Sequence, residues 1–412
     1  MPDLRTLLLQ IVVICAAARG LGWCFGKLRQ PRVVGEIVAG ILLGPSLLGW
    51  VLPGVSSSLF PPASLGLLNG LSQIGLVLFM FQVGLTLDTS RLRQAGRAVL
   101  FTSQVSIVVP LISGAALALY LHDRLSSDAV SPFTFALFMG TAMSVTAFPV
   151  LARLLAERKL VNTSIGVIAI SAAAVDDVTA WCLLAFLIAT VRGTGDAGPF
   201  WLPVAGLAAY LLVAFYVIAP LLRRTRLAVA TSVGREGLAW LLLFMILSSW
   251  TTERIGIHAL FGAFVAGVIL PKNESLVRYV SERLDPITSA LLLPLFFAFT
   301  GLRTSVGVLN GASAWADCAL IVAVAVAGKL AGCAVTLRLT GASWRDAVAV
   351  GVLMNTRGLI ELVILNVGLD LGVISPTLFS MLVIMAVVTT FMASPLLELL
   401  LPRPAAQPSR VA

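Results

Sequence analysis

The sequence predicts an all-α polytopic membrane protein. Three observations carry that prediction: 59% of its 412 residues are hydrophobic, only 11% are charged, and the apolar residues fall into long runs. Mean hydropathy is +1.01. A soluble domain has about a quarter of its residues charged, so that class is excluded. The net charge of +9 sits in short basic clusters between apolar runs. That is the pattern of positive-inside loops, and no nucleic-acid partner is expected. Cys15, Cys24, Cys182, Cys318 and Cys333 lie in or at the ends of apolar runs without metal-ligand spacing. They read as packing residues. No cofactor is expected, and no nucleophile and base stand at a catalytic spacing, so an enzyme is not expected either.

A stretch of about 20 apolar residues crosses the hydrocarbon of a bilayer. The chain offers about thirteen, with soft boundaries: residues 4–25, 33–50, 66–87, 98–121, 132–155, 161–191, 200–222, 236–252, 256–271, 286–302, 313–337, 345–368 and 376–401. The first is followed, not preceded, by basic residues, so it is expected to be a mature helix and not a cleaved signal. Alternate loops carry Lys27, Arg29 and Arg32; Arg91, Arg93 and Arg97; Arg153, Arg158 and Lys159; Arg223, Arg224, Arg226 and Arg235; Lys272, Arg278 and Arg283; and Arg338 and Arg345, with Arg403 and Arg410 in the tail. The other side has only Arg5, Arg124, Arg192, Arg254 and Arg303. This bias places the N-terminus outside and the C-terminus in the cytoplasm. The short tail after Leu401 predicts no appended soluble regulatory domain.

Asp176 and Asp177 stand in the middle of the sixth span. Carboxylates in hydrocarbon are costly and face a bundle interior or a wet cavity, where they mark ion or proton pathways. Successive helix residues point about 100° apart, so one acid can meet a partner while its neighbour faces the cavity. The partner is expected to be Lys329, in Val326-Ala-Gly-Lys-Leu-Ala-Gly332, since a buried ammonium either finds a carboxylate or loses its proton. A purely structural Asp–Lys pair is the competing reading, and it leaves the second aspartate free.

The fifth span holds Thr141-Ala-Met-Ser-Val-Thr-Ala-Phe-Pro149, small and hydroxyl residues ending in a proline that disrupts a helix. The twelfth holds Met354-Asn-Thr-Arg-Gly-Leu-Ile-Glu361. Interrupted helices seven spans apart predict two inverted six-helix repeats around a linker helix, with the binding site at the breaks. An ordinary proline kink is the alternative for the first break. Arg357 and Glu361, at i and i+4, can pair on one helix face, either as a brace or in an electrostatic role toward ions. Glu36 lines an access funnel or snorkels as an interfacial acid. His258 caps a helix or senses pH, and Trp23, Trp50, Trp201 and Trp344 lie at span ends as an aromatic belt does.

Six strings bear on kinship: Gly35-Glu-Ile-Val-Ala-Gly-Ile-Leu-Leu-Gly-Pro45, Ser144-Val-Thr-Ala-Phe-Pro-Val-Leu-Ala-Arg153, Ala174-Val-Asp-Asp-Val-Thr-Ala-Trp181, Gly262-Ala-Phe-Val-Ala-Gly-Val-Ile-Leu-Pro271, Leu293-Pro-Leu-Phe-Phe-Ala-Phe-Thr-Gly-Leu302 and Met354-Asn-Thr-Arg-Gly-Leu-Ile-Glu-Leu362. With them the chain resembles the monovalent cation:proton antiporters of the second cation/proton antiporter family, the plant-type cation/H+ exchangers and their bacterial relatives. The resemblance implies a homodimer in a bacterial cytoplasmic membrane, each protomer with a core (about 98–191 and 313–401) and a dimerisation scaffold (about 1–97 and 200–302). It implies crossing, unwound fifth and twelfth helices beside the aspartates. Asp177 matches the ion-binding carboxylate, Asp176 the one paired with a core lysine, and Lys329 that lysine. Thr146 and Ser144 lie where the unwound segment supplies oxygens, with Asn355, Arg357, Glu361 and Glu36 in support. Unlike the potassium-efflux branch, the chain shows no C-terminal regulatory domain, which puts that kind of ligand gating in doubt.

The function expected is exchange of Na+ or K+ for H+ by alternating access, the two species competing for Asp177. An ion-coupled carrier of an organic solute on the same plan would need a larger apolar-lined cavity. A non-transporting sensor or scaffold leaves two broken helices and four intramembrane charges without a use.

Overall fold

The computed structural model describes residues 4–87, 97–126, 130–158, 160–161, 163–193, 201–224, 234–256 and 258–401. Every element among them is helical. Ten helices are singly long and apolar enough to cross a membrane, and eleven when one bent pair is taken as one span. The two other expected spans are the short apolar helix Ala259–Ile269 and the pair Pro132–Ser144 and Phe148–Glu157.

In chain order the helices are α1 (Leu4–Lys27), α2 (Arg32–Leu43), the short α3 (Leu48–Val51) and α4 (Pro53–Leu59), α5 (Pro62–Thr86), α6 (Arg97–Leu125), α7 (Pro132–Ser144), α8 (Phe148–Glu157), α9 (Ser164–Gly193), α10 (Trp201–Leu212), α11 (Ala219–Arg224), α12 (Arg235–Ile255), α13 (Ala259–Ile269), α14 (Glu274–Ile287), α15 (Leu293–Leu302), α16 (Gly311–Leu339), α17 (Trp344–Met354), α18 (Leu359–Asp370) and α19 (Pro376–Leu400). Their starts follow from local chemistry. Ser131, Asn273, Ser343 and Ser375 each accept a first-turn backbone N–H through the side chain, as N-caps do. His258 does the same through its ring for Leu260, so its capping reading holds. Gly256, in the left-handed region at φ 97°, ends α12.

The stretch 272–283, expected as a basic loop, is instead most of α14. Its Leu276, Val280 and Leu284 recur at helical spacing and are buried, which lets an amphipathic helix pack against α5. The expected loop residues Arg91, Arg93, Lys159 and Arg226, and the tail arginines, lie outside the described residues.

Two groups of helices pack mainly among themselves. In one, α15 packs on α1, α2 and α5, α1 also packs on α2 and α5, and α13 joins α5 to α12. In the other, α6, α7, α9, α16, α17 and α19 interlock. α6 lies against α7 as α16 lies against α17, and α6 packs on α16, so the fourth and eleventh spans occupy equivalent places beside the two interrupted ones. Close approach in the first group depends on glycine: a Cβ on Gly84 would overlap the Phe264 carbonyl oxygen, and one on Gly267 that of Phe81.

Candidate functional site

α7 stops at Ser144, the chain runs extended through Val145–Ala147, and α8 starts at Phe148. Pro149 sits at the second position of α8, where its missing N–H costs nothing. It opens a half-helix and does not kink a continuous one. The twelfth span breaks over Asn355–Gly358, with α17 and α18 bent by 42°.

Breaking two helices at membrane depth frees carbonyl and N–H groups that water does not reach. Each break answers the other. Ala147 N donates to Thr356 O at 2.9 Å. The Thr146 hydroxyl lies 3.0 Å from Met354 O. Arg357 sends its two terminal nitrogens to Ala142 O and Met143 O, both at 2.8 Å, closing the C-terminal end of α7. Thr390 of α19 meets both sides of the Arg357 backbone, accepting its N–H at 2.9 Å and donating to its C=O at 2.7 Å. Gly358 leaves the room required: a Cβ there would stand 2.9 Å from Val150 and 3.1 Å from Ala147.

The aspartates of α9 face this crossing. Asp176 is fully buried and receives hydrogen bonds from Ser106 (2.6 Å), Thr146 (2.8 Å) and Ser103 (3.0 Å). The ammonium of Lys329, also fully buried, lies 3.3 Å from Asp176 Oδ2 and donates to the Ser144 carbonyl as well. The expected Asp176–Lys329 pair is therefore formed. Asp177, 3% exposed, faces the backbone N–H of Phe148, the first residue of α8 and the positive end of a half-helix. Its Oδ1 has no hydrogen-bond partner among the described residues. Two neighbouring acids thus have different surroundings, one saturated with donors and one held by a single helix start.

Several expected roles change. The Ser144 hydroxyl turns back to Thr141 O at 2.9 Å, and only its carbonyl reaches the cluster, because the end of α7 offers that hydroxyl a nearer acceptor. The Thr146 hydroxyl is committed to Asp176 and Met354 O, away from Asp177. Arg357 and Glu361 do not share a helix face, since α18 begins only at Leu359. Their 3.5 Å contact is the longest the guanidinium makes, its main work being the α7 carbonyls. Glu361 is fully buried, and its Oε2, like Asn355 Oδ1, has no partner among the described residues.

Glu36 lies at a funnel. A cavity of about 210 Å³ runs past Pro31, Arg32 and Glu36 to Leu293 and Phe297, and reaches Val150 of α8 and Leu359 of α18. A polar cavity of about 560 Å³ beside it shares Arg32, Glu36 and Ser289. Glu36 thus lines both cavities. The lining of the smaller one includes residues next to both half-helix starts, Val150 two residues past Phe148 and Leu359 one past Gly358.

Sequence reasoning missed Ser103, Ser106 and Thr390. The first two stand three apart on an apolar helix, and that spacing of hydroxyls was the available signal. Thr390 gave none.

Among known proteins, the family model "Sodium/hydrogen exchanger, transmembrane" matches residues 11–401. The chain is 44% identical to the Na+/H+ antiporter NhaS4 of Synechocystis sp., over 98% of this chain and 100% of that protein. It is 40% identical to cation/H+ antiporter 17 of Arabidopsis thaliana, over 95% of this chain and 48% of the relative. It is 33% identical to K+/H+ antiporter 1 of Saccharomyces cerevisiae, over 92% and 44%. The chain therefore spans about half the length of the plant and yeast relatives. Its fold is similar to that of the sodium proton antiporter MjNhaP1 of Methanocaldococcus jannaschii, with a TM-score of 0.64 at 15% identity, covering 95% and 96% of the two chains.

Proposed function

The chain belongs to the sodium/hydrogen exchanger family, and from that premise we propose that it exchanges a monovalent cation, Na+ or K+, for H+ with Asp177 as the shared seat. The observation that carries this is the contrast between the two aspartates. Asp176 has four donors, whereas Asp177 keeps an oxygen unpartnered at the start of α8. A carboxylate so placed takes either a dehydrated cation or a proton, and occupancy by one excludes the other.

The cation reaches Asp177 from the funnel at Glu36, helped by that carboxylate. The basic cluster Lys27, Arg29 and Arg32, the last of which lines the funnel, supports a cytoplasmic mouth. The helices α6–α9 and α16–α19 form the core that moves, and α1–α5 with α10–α15 form the scaffold, dimerising with a second copy. Movement of the core past the scaffold exposes the seat to each side in turn. Lys329 pairs with Asp176 and, through the Ser144 carbonyl and the Thr146 hydroxyl on the same carboxylate, ties the α7 break to α9. In a cell this exchange serves pH homeostasis. The organic-solute alternative finds less support, since the relatives this chain resembles are cation/proton antiporters.

The test is Asp177→Asn in proteoliposomes carrying a pH-sensitive dye, with Na+, K+ or choline added outside. The variant is expected to lose cation-driven proton movement with both ions, and full activity refutes the assignment of the seat.

A further inference from the structure

α15 and α18 pack on each other across the boundary between the two helix groups. Both begin at the funnel, where Leu293 and Phe297 of α15 and Leu359 of α18 line its wall. At about 1.5 Å per residue, Arg303 stands about 15 Å beyond Leu293, and Asp370 about 16 Å beyond Leu359. At that far end the two helices are joined side chain to side chain. Arg303 donates to Asn366 Oδ1 at 2.9 Å and to Asp370 Oδ1 at 2.5 Å. Asn366 Nδ2 in turn donates to Thr300 Oγ1 of α15 at 3.0 Å and to Leu362 O at 2.8 Å. The guanidinium also lies 5.9 Å from the ring centres of Phe299 and Phe379. Two residues on, Ser305 N donates to Ser380 Oγ of α19 at 3.1 Å.

Two features separate this cluster from an ordinary brace. The first is placement, for the helices part at one end around the funnel and are tied at the other, the asymmetry an alternating-access protein must reverse. The second is exposure. Side chains of Arg303 and Asp370 remain 22% and 45% exposed, so both charges find water when they separate. The fully buried Asp176–Lys329 pair could not open so cheaply. The spacing of Asn366 and Asp370, one helical turn, turns both toward one guanidinium. α18 itself starts at the Arg357 break, so a half-helix of 12 residues carries movement at the tie to the crossing.

We propose that Arg303, received by Asn366 and Asp370, is the latch that keeps the face opposite the funnel closed and so sets the balance between the two access states. This is a positioning role in exchange, and it rests on the alternating-access reading above.

The test reads access directly, without transport. In a background where the five cysteines are replaced, Leu293→Cys reports the funnel and Thr300→Cys the space beneath the latch. A membrane-impermeant maleimide is applied to each face of reconstituted vesicles. With Arg303→Gln or Asp370→Asn added, labelling at position 293 from the funnel side is expected to slow, and labelling at position 300 from the opposite face to quicken, each about fivefold or more. The charge swap Arg303→Asp with Asp370→Arg is expected to restore both rates. Unchanged rates, or rates that rise together on both faces as general loosening would give, overturn the latch. Should Arg303→Gln fail to fold, the labelling rates of Asp370→Asn decide the matter alone. An exchange-competent Asp177→Asn would sink the seat and leave this labelling result standing. An inactive Asp177→Asn with unmoved labelling would sink only the latch.

Discussion

Replacing Lys329 by Gln tests the electrostatic centre of the site most sharply. In the native protein the ammonium lies 3.3 Å from Asp176, both groups fully buried. Their attraction at an effective dielectric of 20 is about 5 kcal/mol, and removing one member of such a pair costs about 3–5 kcal/mol because the other charge is stranded. Here the stranded carboxylate keeps Ser103, Ser106 and Thr146 as donors, so a cost near the lower end, about 3 kcal/mol, is expected. Removing both charges with Lys329→Gln and Asp176→Asn strands neither, and the double variant should recover about 2 kcal/mol relative to the summed single variants. Unfolding of wild type, both singles and the double in the same detergent supplies the cycle. Additivity within about 0.5 kcal/mol would mean that the pair is not coupled and that the serines and Thr146 alone hold Asp176. Exchange by the same four proteins decides mechanism separately: a pH profile of Lys329→Gln identical to wild type removes the lysine from the transport cycle.

Three further outcomes follow from the geometry. If a proton and a cation share Asp177, then in the acid range, where protons fill the seat, the apparent KM for Na+ or K+ rises about tenfold for each pH unit lost; a flat KM with falling maximal rate would require separate sites. Arg357→Lys keeps the charge but not the fork that reaches Ala142 O and Met143 O together, so exchange should fall at least about tenfold, and near-normal rates would show that charge alone suffices. Gly84→Ala drives a Cβ into the Phe264 carbonyl and should cost about 1–3 kcal/mol, whereas Gly66→Ala on the same helix, with nothing within 4 Å, should gain about 0.5–1 kcal/mol; equal melting temperatures would count against tight α5–α13 packing.

Much of this protein was legible in its sequence, because lipid leaves the backbone few options. With no water to satisfy peptide groups, long apolar runs must be helices, and the rare charges among them must be functional or paired. That reasoning points to Asp176, Asp177 and Lys329 and to a pair between the lysine and one of the aspartates, the polar strings mark both breaks, and the family resemblance is what assigns Asp176 to the pair. The charges of α14 mask a modest apolar stripe of helical period, so hydropathy alone predicts a loop there.

What the sequence alone determined is the inventory: a membrane-embedded helical bundle, two interrupted spans, and the charged residues placed at depth. Only the tertiary structure decided which atom of each residue is used. The Ser144 carbonyl is recruited in place of its hydroxyl, Arg357 bridges to the other interrupted helix in place of its own, and Arg303 meets residues more than sixty positions away. The physical reason is that a hydrogen bond depends on direction and distance between atoms that the chain brings together only after long-range packing, whereas hydropathy is a sum along the chain.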